Sequence, residues 1–339
     1  MAERNAGGML EVIWDWEYEI EHTRLADLYD KAKREQWNAD VEVDWSVHVD
    51  PAGSILDESR MGILQMKFFD RLSDSQRAEF NAHYSAWILS QLLHGEQGAA
   101  MVAGELIAAV PDYEAKLYVA SQAMDEARHL EVFGRYIKKL DRIYPVQPIL
   151  GDILQAIMAA EQWQAMTVGM QVILEGLALG TFINVRAATD CSLLRQMLEY
   201  VTKDEARHVA FGNMYLTESI AQMHPDDREQ LEDFALDVTE KIVRMRRGNE
   251  GFAGFDEVLR DTGIEPNDFL SALHQEVAGG LKINGTPGSV HTFKGLIMPG
   301  LVRAGLVTDR VRPRYDAANI AVFEDTAILE RFEDTGQVA

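Results

Sequence analysis

The pentapeptide Asp-Glu-Ala-Arg-His occurs twice in this chain, once from Asp125 to His129 and once from Asp204 to His208. A Glu and a His three residues apart project from the same side of a helix, so each copy presents one carboxylate and one imidazole together. A lone glutamate precedes each copy. Glu96 stands thirty residues before Glu126, and Glu175 thirty before Glu205. Hard carboxylate oxygens suit iron in its oxidised state and can bridge two ions, while one neutral imidazole per ion leaves positions free for dioxygen. Four glutamates are neutralised by two divalent cations, so the set can be buried without a large desolvation cost. The chemistry these residues point to is dioxygen activation at a carboxylate-bridged metal pair.

One Glu-x-x-His alone is weak, because such a pair usually lies on a solvated helix face. Two identical copies behind glutamates in apolar runs weigh far more. Leu92-Leu93 and Ala99-Ala100 flank Glu96, and Val172-Ile173-Leu174 and Leu177-Ala178-Leu179 flank Glu175; a charge in such company needs a partner. Asp125 and Asp204 are placed to accept the second N–H of a ligating imidazole. Arg128 and Arg207 are placed to pair with those aspartates. His22, His48, His83, His94, His224, His274 and His291 read as surface or structural residues, and Trp87, Trp163 and the methionines as core packing.

These side chains must be carried to one level by helices. The midpoint between Glu96 and Glu126 is Pro111, a residue that opens helices and rarely sits inside them. The midpoint between Glu175 and Glu205 falls in Thr189-Asp190-Cys191-Ser192, a run of helix-capping residues. Fifteen residues on either side of each turn rise about 22 Å, so each hairpin sets its Glu opposite its Glu-x-x-His. The spacing therefore predicts an all-α chain with a four-helix bundle at its centre.

Ser73 and Gln76 form a capping-box pattern that starts a helix running to about Val110, and the next runs from Pro111 to about Ile143. Glu175 lies further past Pro148 than a direct return requires, so residues 146–160 are expected to cross the bundle first. A fourth helix is expected over 191–223 and a fifth from Pro225 to Arg247. The periodicity also predicts an N-terminal helix from Met9 to Trp37, with Trp14, Tyr18, Leu25, Leu28 and Tyr29 buried, and a helix over 57–71. Short helices are expected at 266–278 and 289–305. The whole is read as one domain, 1–339: a metal-binding bundle at about 75–223, N-terminal helices at 9–72 and a wrapping C-terminal part at 225–339.

The chain has 339 residues, 47% of them hydrophobic, and a formal charge of −23. Both nucleic acid and anionic membrane surfaces reward clustered Lys and Arg, so neither is an expected partner. The single cysteine, Cys191, fits a reducing compartment. With no signal pattern and no long uncharged apolar run, the expected location is the cytoplasm.

The paired motifs, each behind a lone Glu, resemble the ferritin-like non-haem di-iron carboxylate superfamily over roughly residues 75 to 220. This group includes multicomponent monooxygenase hydroxylases, ribonucleotide reductase small subunits, related ligand-binding oxidases and di-iron arylamine N-oxygenases. The resemblance implies a ferritin-like bundle with Glu96, Glu126 and His129 on one iron and Glu175, Glu205 and His208 on the other, some glutamates bridging. Phe133 stands where reductase subunits carry a radical tyrosine, and Gly98 where ligand-binding oxidases carry valine. Val201 stands where the N-oxygenases add a histidine ligand, and Leu179 where the hydroxylases carry threonine.

The resulting expectation is a di-iron monooxygenase or oxidase, with manganese able to replace one iron. It would use dioxygen, a small organic substrate and an external electron donor such as a ferredoxin or flavin reductase, in a homodimer. Apolar residues beside the ligands (Leu92, Ala99, Ala103, Phe133, Val172, Leu179, Phe182, Val201) suggest an apolar or aromatic substrate and its hydroxylation. The alternatives are a ferroxidase without an organic substrate and a radical-generating subunit.

Overall fold

The computed structural model describes residues 10–247, 252–281 and 291–330, apart from 52, 54 and 328. Among them the chain is helical, and its β-structure is one isolated antiparallel bridge between Leu56 and Thr189. After α1 (Thr23–Arg34) and the single turn α2 (Ala39–Glu42), the long helix α3 runs from Asp74 to Ala109. Its capping box is formed as the sequence predicts: Ser73 Oγ accepts from the Gln76 amide, and the Gln76 side chain accepts from the Ser73 amide. At 36 residues it is about 54 Å long.

Pro111 and Asp112 turn the chain into α4 (Tyr113–Leu140). The crossover is α5 (Pro148–Met158), which lies across α3 where Gly98 leaves room: a Cβ there would sit 2.4 Å from Leu154. A second long rod, Trp163–Ala188, combines α6 (Trp163–Thr167), a π-helical stretch (Val168–Leu174) and α7 (Glu175–Ala188). This rod is long and apolar enough to cross a membrane, but it is a buried bundle helix. The turn at Thr189–Cys191 leads into α8 (Ser192–Ala221), and α9 (Pro225–Arg247) follows.

The bundle of α3, α4, the Trp163–Ala188 rod and α8 holds two apolar cores. One gathers Val102, Leu106, Tyr118, Ile173 and Phe211 with Leu25 and Leu28 of α1. The other gathers Phe69, Phe80, Phe133, Tyr136, Phe182 and Leu198. The C-terminal part packs onto the bundle. Phe255, just before α10 (Asp256–Asp261), meets Trp87 of α3 edge-on at 4.9 Å. Beyond α11 (Pro266–Ala278), Thr292 lies so close to Gly180 of α7 that a Cβ there would clash at 2.5 Å. The helix expected over 289–305 is present from 292 to 303, as a π-helical turn (Phe293–Ile297) running into α12 (Met298–Arg303), with 289–290 outside the described residues; α13 (Arg312–Ala317) follows.

Two expectations fail. Residues 10–22 are not helical, and Trp14 and Tyr18 are 70% and 64% exposed; only Leu25 and Leu28 of the proposed buried set are in the core, with Tyr29 at its edge. Val12, Trp14, Trp16, Tyr18 and Ile20 recur at every second residue, a period that suits extended chain rather than helix. The segment over 57–71 forms three short 3₁₀ turns. The expected start of that N-terminal helix, Met9, lies outside the described residues.

Candidate metal centre

Four rods bring six side chains to one level between the two cores. α3 supplies Glu96, α4 supplies Glu126 and His129, α7 supplies Glu175, and α8 supplies Glu205 and His208. All six are buried; Glu96 and Glu175, the two that a solvated face would have exposed, are only 3% and 2% accessible. His129 Nδ1 lies 3.2 Å from Glu96 Oε2, 3.2 Å from Glu126 Oε2 and 3.1 Å from Glu205 Oε1. His208 Nδ1 lies 3.2 Å from Glu126 Oε1, 3.2 Å from Glu205 Oε2 and 3.9 Å from Glu175 Oε1. Glu126 and Glu205 each send one oxygen toward each histidine, so they lie between two positions, with Glu96 at one end and Glu175 at the other.

The outer imidazole nitrogens are tied crosswise. His129 Nε2 donates to Asp204 Oδ2 of the other motif at 3.1 Å, and His208 Nε2 donates to Asp125 Oδ2 at 3.3 Å. Each aspartate also takes the arginine of its own pentapeptide, Arg128 on Asp125 and Arg207 on Asp204. The same arginines reach across at 3.4 Å to Asp204 and 3.5 Å to Asp125. Two buried aspartates facing two buried arginines leave this layer neutral, which low-polarity surroundings demand.

The three residues that follow α1 close the layer. Gln36 Nε2 donates to Asp125 at 2.9 Å and its carbonyl accepts from Arg128; Trp37 Nε1 donates to Asp204 at 2.7 Å; Glu35 pairs with Arg207 at 2.7 Å. Sequence reasoning missed these three residues, and they lie too far away in the chain to leave a spacing signal. It also missed Gln122 and Gln171, one helical turn before Glu126 and Glu175. Gln122 Nε2 lies 3.1 Å from Glu126 Oε1 and 3.3 Å from Glu175 Oε1, and the two amides pair with each other. A glutamine four residues before a glutamate, in both places, is the signal that could have found them.

Charge at the centre is unbalanced among the protein's own groups. Burial pushes the Glu96 and Glu175 carboxyls well above the usual carboxylate range, and nearby Glu205 adds to this. Burial works the same way on Glu205 itself, but His208 and His129 outweigh it and hold that carboxyl well below. Burial would lower the imidazoles; instead Asp204 and the facing glutamates raise His129 well above its ordinary value, and Glu126 and Glu205 lead in pushing His208 up to about 10. Glu205 Oε1 is buried and accepts no hydrogen bond. Hard carboxylates, two imidazoles aimed inward and an orphaned oxygen fit a pair of metal ions, and two groups have the required geometry: Glu96, Glu126, His129 and Glu205, and Glu126, Glu175 and His208.

A cavity of about 330 Å³ meets this centre where Glu96 and Glu175 line it. Apolar side chains including Trp87, Ile88, Leu92, Ala99, Leu174 and Ala178 form much of its wall, and Gln91, Thr181, Asn184 and Arg246 add polar groups. Of the eight residues expected to line a substrate pocket, Leu92 and Ala99 do so. Ala103 and Val172 belong to one core, Phe133, Phe182 and Val201 to the other, and Leu179 to a small cluster with Leu296. Phe133 stacks on Phe182 at 5.3 Å, filling the space with ring instead of pocket. Trp87 and His291, read as structural, line the cavity.

No curated protein matches the chain significantly. Solved structures of R2-like ligand-binding oxidases are similar to it. The one from Sulfolobus acidocaldarius is 20% identical, with a TM-score of 0.44 over 80% of this chain and 91% of that one. A variant with an anaerobically reconstituted Mn/Fe cofactor is 18% identical, with a TM-score of 0.45 over 86% of this chain and 95% of that one. Residues 19–257 match the family described as P-aminobenzoate N-oxygenase AurF.

Proposed function

The chain belongs to the AurF family of p-aminobenzoate N-oxygenases, within the ferritin-like di-iron carboxylate proteins, and from that premise we propose that it inserts oxygen into a small aromatic substrate held in the cavity beside Glu96 and Glu175. It is a di-iron, dioxygen-dependent oxidoreductase. In our reading Glu96, Glu126, His129, Glu175, Glu205 and His208 would hold the two ions, with Glu126 and Glu205 offering one oxygen toward each histidine. The bound pair, iron or manganese and iron, supplies dioxygen activation.

The chain's own residues do the rest. Asp204 and Asp125 hold the imidazoles with Nδ1 facing inward, because each accepts the Nε2 proton. Arg128 and Arg207 pair with those aspartates, while Trp37 and Gln36 close this side. Substrate approach is left to the opposite side, where the largely apolar wall suits a ring and excludes water.

The observation that carries this reading is the contact of one cavity with both end glutamates. A ferroxidase needs no apolar chamber at its metals, and Phe133 offers no phenol for a radical subunit. Hydroxylation at carbon is the reaction we favour from the wall chemistry. The family match favours a second reading, oxygen transfer to an arylamine nitrogen, although Val201 stands where those enzymes add a histidine. A ferredoxin or flavin reductase would supply the electrons to a cytoplasmic homodimer.

The test is anaerobic loading with ferrous iron, then ¹⁸O₂ and a panel of small aromatic acids and amines. Two irons per chain and a product carrying one ¹⁸O atom are expected, on carbon for the first reading and on nitrogen for the second. Iron oxidation with no labelled product would establish the ferroxidase instead, and fewer than two irons would defeat the proposal.

A further inference from the structure

The two halves of the centre repeat each other in their ligands but not in the residues one turn away. At the His208 end, the residues four before Glu126 and Glu175 are Gln122 and Gln171; at the His129 end, those four before Glu205 and Glu96 are Val201 and Leu92. Both glutamines are fully buried. Their amides form a reciprocal pair: Gln122 Nε2 donates to Gln171 Oε1 at 3.2 Å, and Gln171 Nε2 donates to Gln122 Oε1 at 2.9 Å.

That pairing fixes which way Gln122 points. Its remaining N–H is shared by Glu126 Oε1 and Glu175 Oε1, two of the three carboxylate oxygens that face His208. At the other end, Glu205 Oε1, 3.1 Å from His129 Nδ1, receives no hydrogen bond. The seat for Gln171 is built in: a Cβ on Gly212 of α8 would sit 2.5 Å from the Gln171 Cβ, and the π-helical turn carries Gln171 to that position. Irregular turns of this kind cluster at functional sites.

We infer that Gln122, seated by Gln171, is a positioning residue that makes the two metal positions unequal. The His208 position, with Glu126 and Glu175 held by the amide, binds its ion more tightly and keeps its geometry. The His129 position binds more weakly, and Glu96, with Leu92 rather than an amide beside it, is the carboxylate free to change its mode. Partners that orient ligands are worth roughly 10- to 100-fold in metal affinity, which sets the size of the difference.

This inference rests on the metal reading above, and a titration separates the two. The full-length metal-free protein is titrated anaerobically with Mn(II), and free Mn(II) is followed by electron paramagnetic resonance. Two equivalents should bind in steps at least about tenfold apart. Glu96→Ala should remove the weak equivalent and keep the tight one, and Glu175→Ala the reverse. Gln122→Leu should weaken the tight step roughly 10- to 100-fold and bring the two together. Two equal affinities in the unaltered protein, or loss of the tight equivalent in Glu96→Ala, would overturn the inference while leaving the metal pair intact. No bound Mn(II) would overturn both. If Gln122→Leu does not fold, the unaltered protein and the two glutamate variants still decide.

Discussion

The centre has two faces, and they differ in almost every physical respect. On the histidine side, α4 and α8 present an interlocked layer of aspartate, arginine and imidazole that the residues just after α1 close. On the glutamate side, α3 and α7 leave a cavity of about 330 Å³ between Glu96 and Glu175. The first face is dense, polar and neutral overall; the second is open and mostly apolar. Rigidity is placed where ligands must be aimed, and space where a substrate must arrive. Small residues make the opening, with Gly95, Ala99 and Ala178 lining it in positions where larger side chains would pack it shut.

The contrast breaks most sharply on the closed face. Asp204→Ala removes the acceptor for His129 and Trp37 and leaves Arg207 and Arg128 buried with one partner fewer. Losing one side of a buried pair costs about 3–5 kcal/mol, so thermal unfolding should drop sharply. Metal affinity should fall roughly 10- to 100-fold in the same variant.

A change on the open face should do neither. Ala178→Leu adds bulk to the cavity wall at a half-buried position, so stability should stay within about 0.5 kcal/mol and two metals should still bind. Catalytic efficiency toward a ring-sized substrate should fall roughly tenfold or more, since a few methylenes decide fit in such a pocket. Equal damage to metal binding in both variants would erase the distinction between the faces.

The smallest effect is one of pH. In the metal-free protein His208 titrates at about 10 rather than 6.5, so the stability it confers is fully present below pH 6.5 and is lost as pH rises through 10. The raised carboxyls of Glu96 and Glu175 act in the same direction, because they stay protonated in the folded state while the unfolded chain releases those protons. The melting temperature of the metal-free protein should therefore decline across that window. The metal-loaded protein, whose imidazoles have already given up a proton, should not follow it.

What could be read in the chain beforehand divides along the same line. The pentapeptides, the thirty-residue gaps and the turns at Pro111 and Asp190 are local features, and they were enough to place four rods and bring six side chains to one level. The crosswise link from His129 to Asp204 could not be read, because an aspartate in the same pentapeptide looks equally near until the rods are packed. Trp37 and Gln36 were hidden for a related reason, lying 167 and 89 residues from the groups they hold. The pocket was misjudged because residues beside a ligand point into both cores as readily as into a gap, and Phe133 and Phe182 found each other.

The crosswise links have a further meaning for how the two pentapeptides can change. Each histidine depends on an aspartate from the other copy, so neither copy is a self-contained module. A lesion in one is inherited by both ions, and drift in either is checked by its twin. The repeat behaves as a single device written in two places.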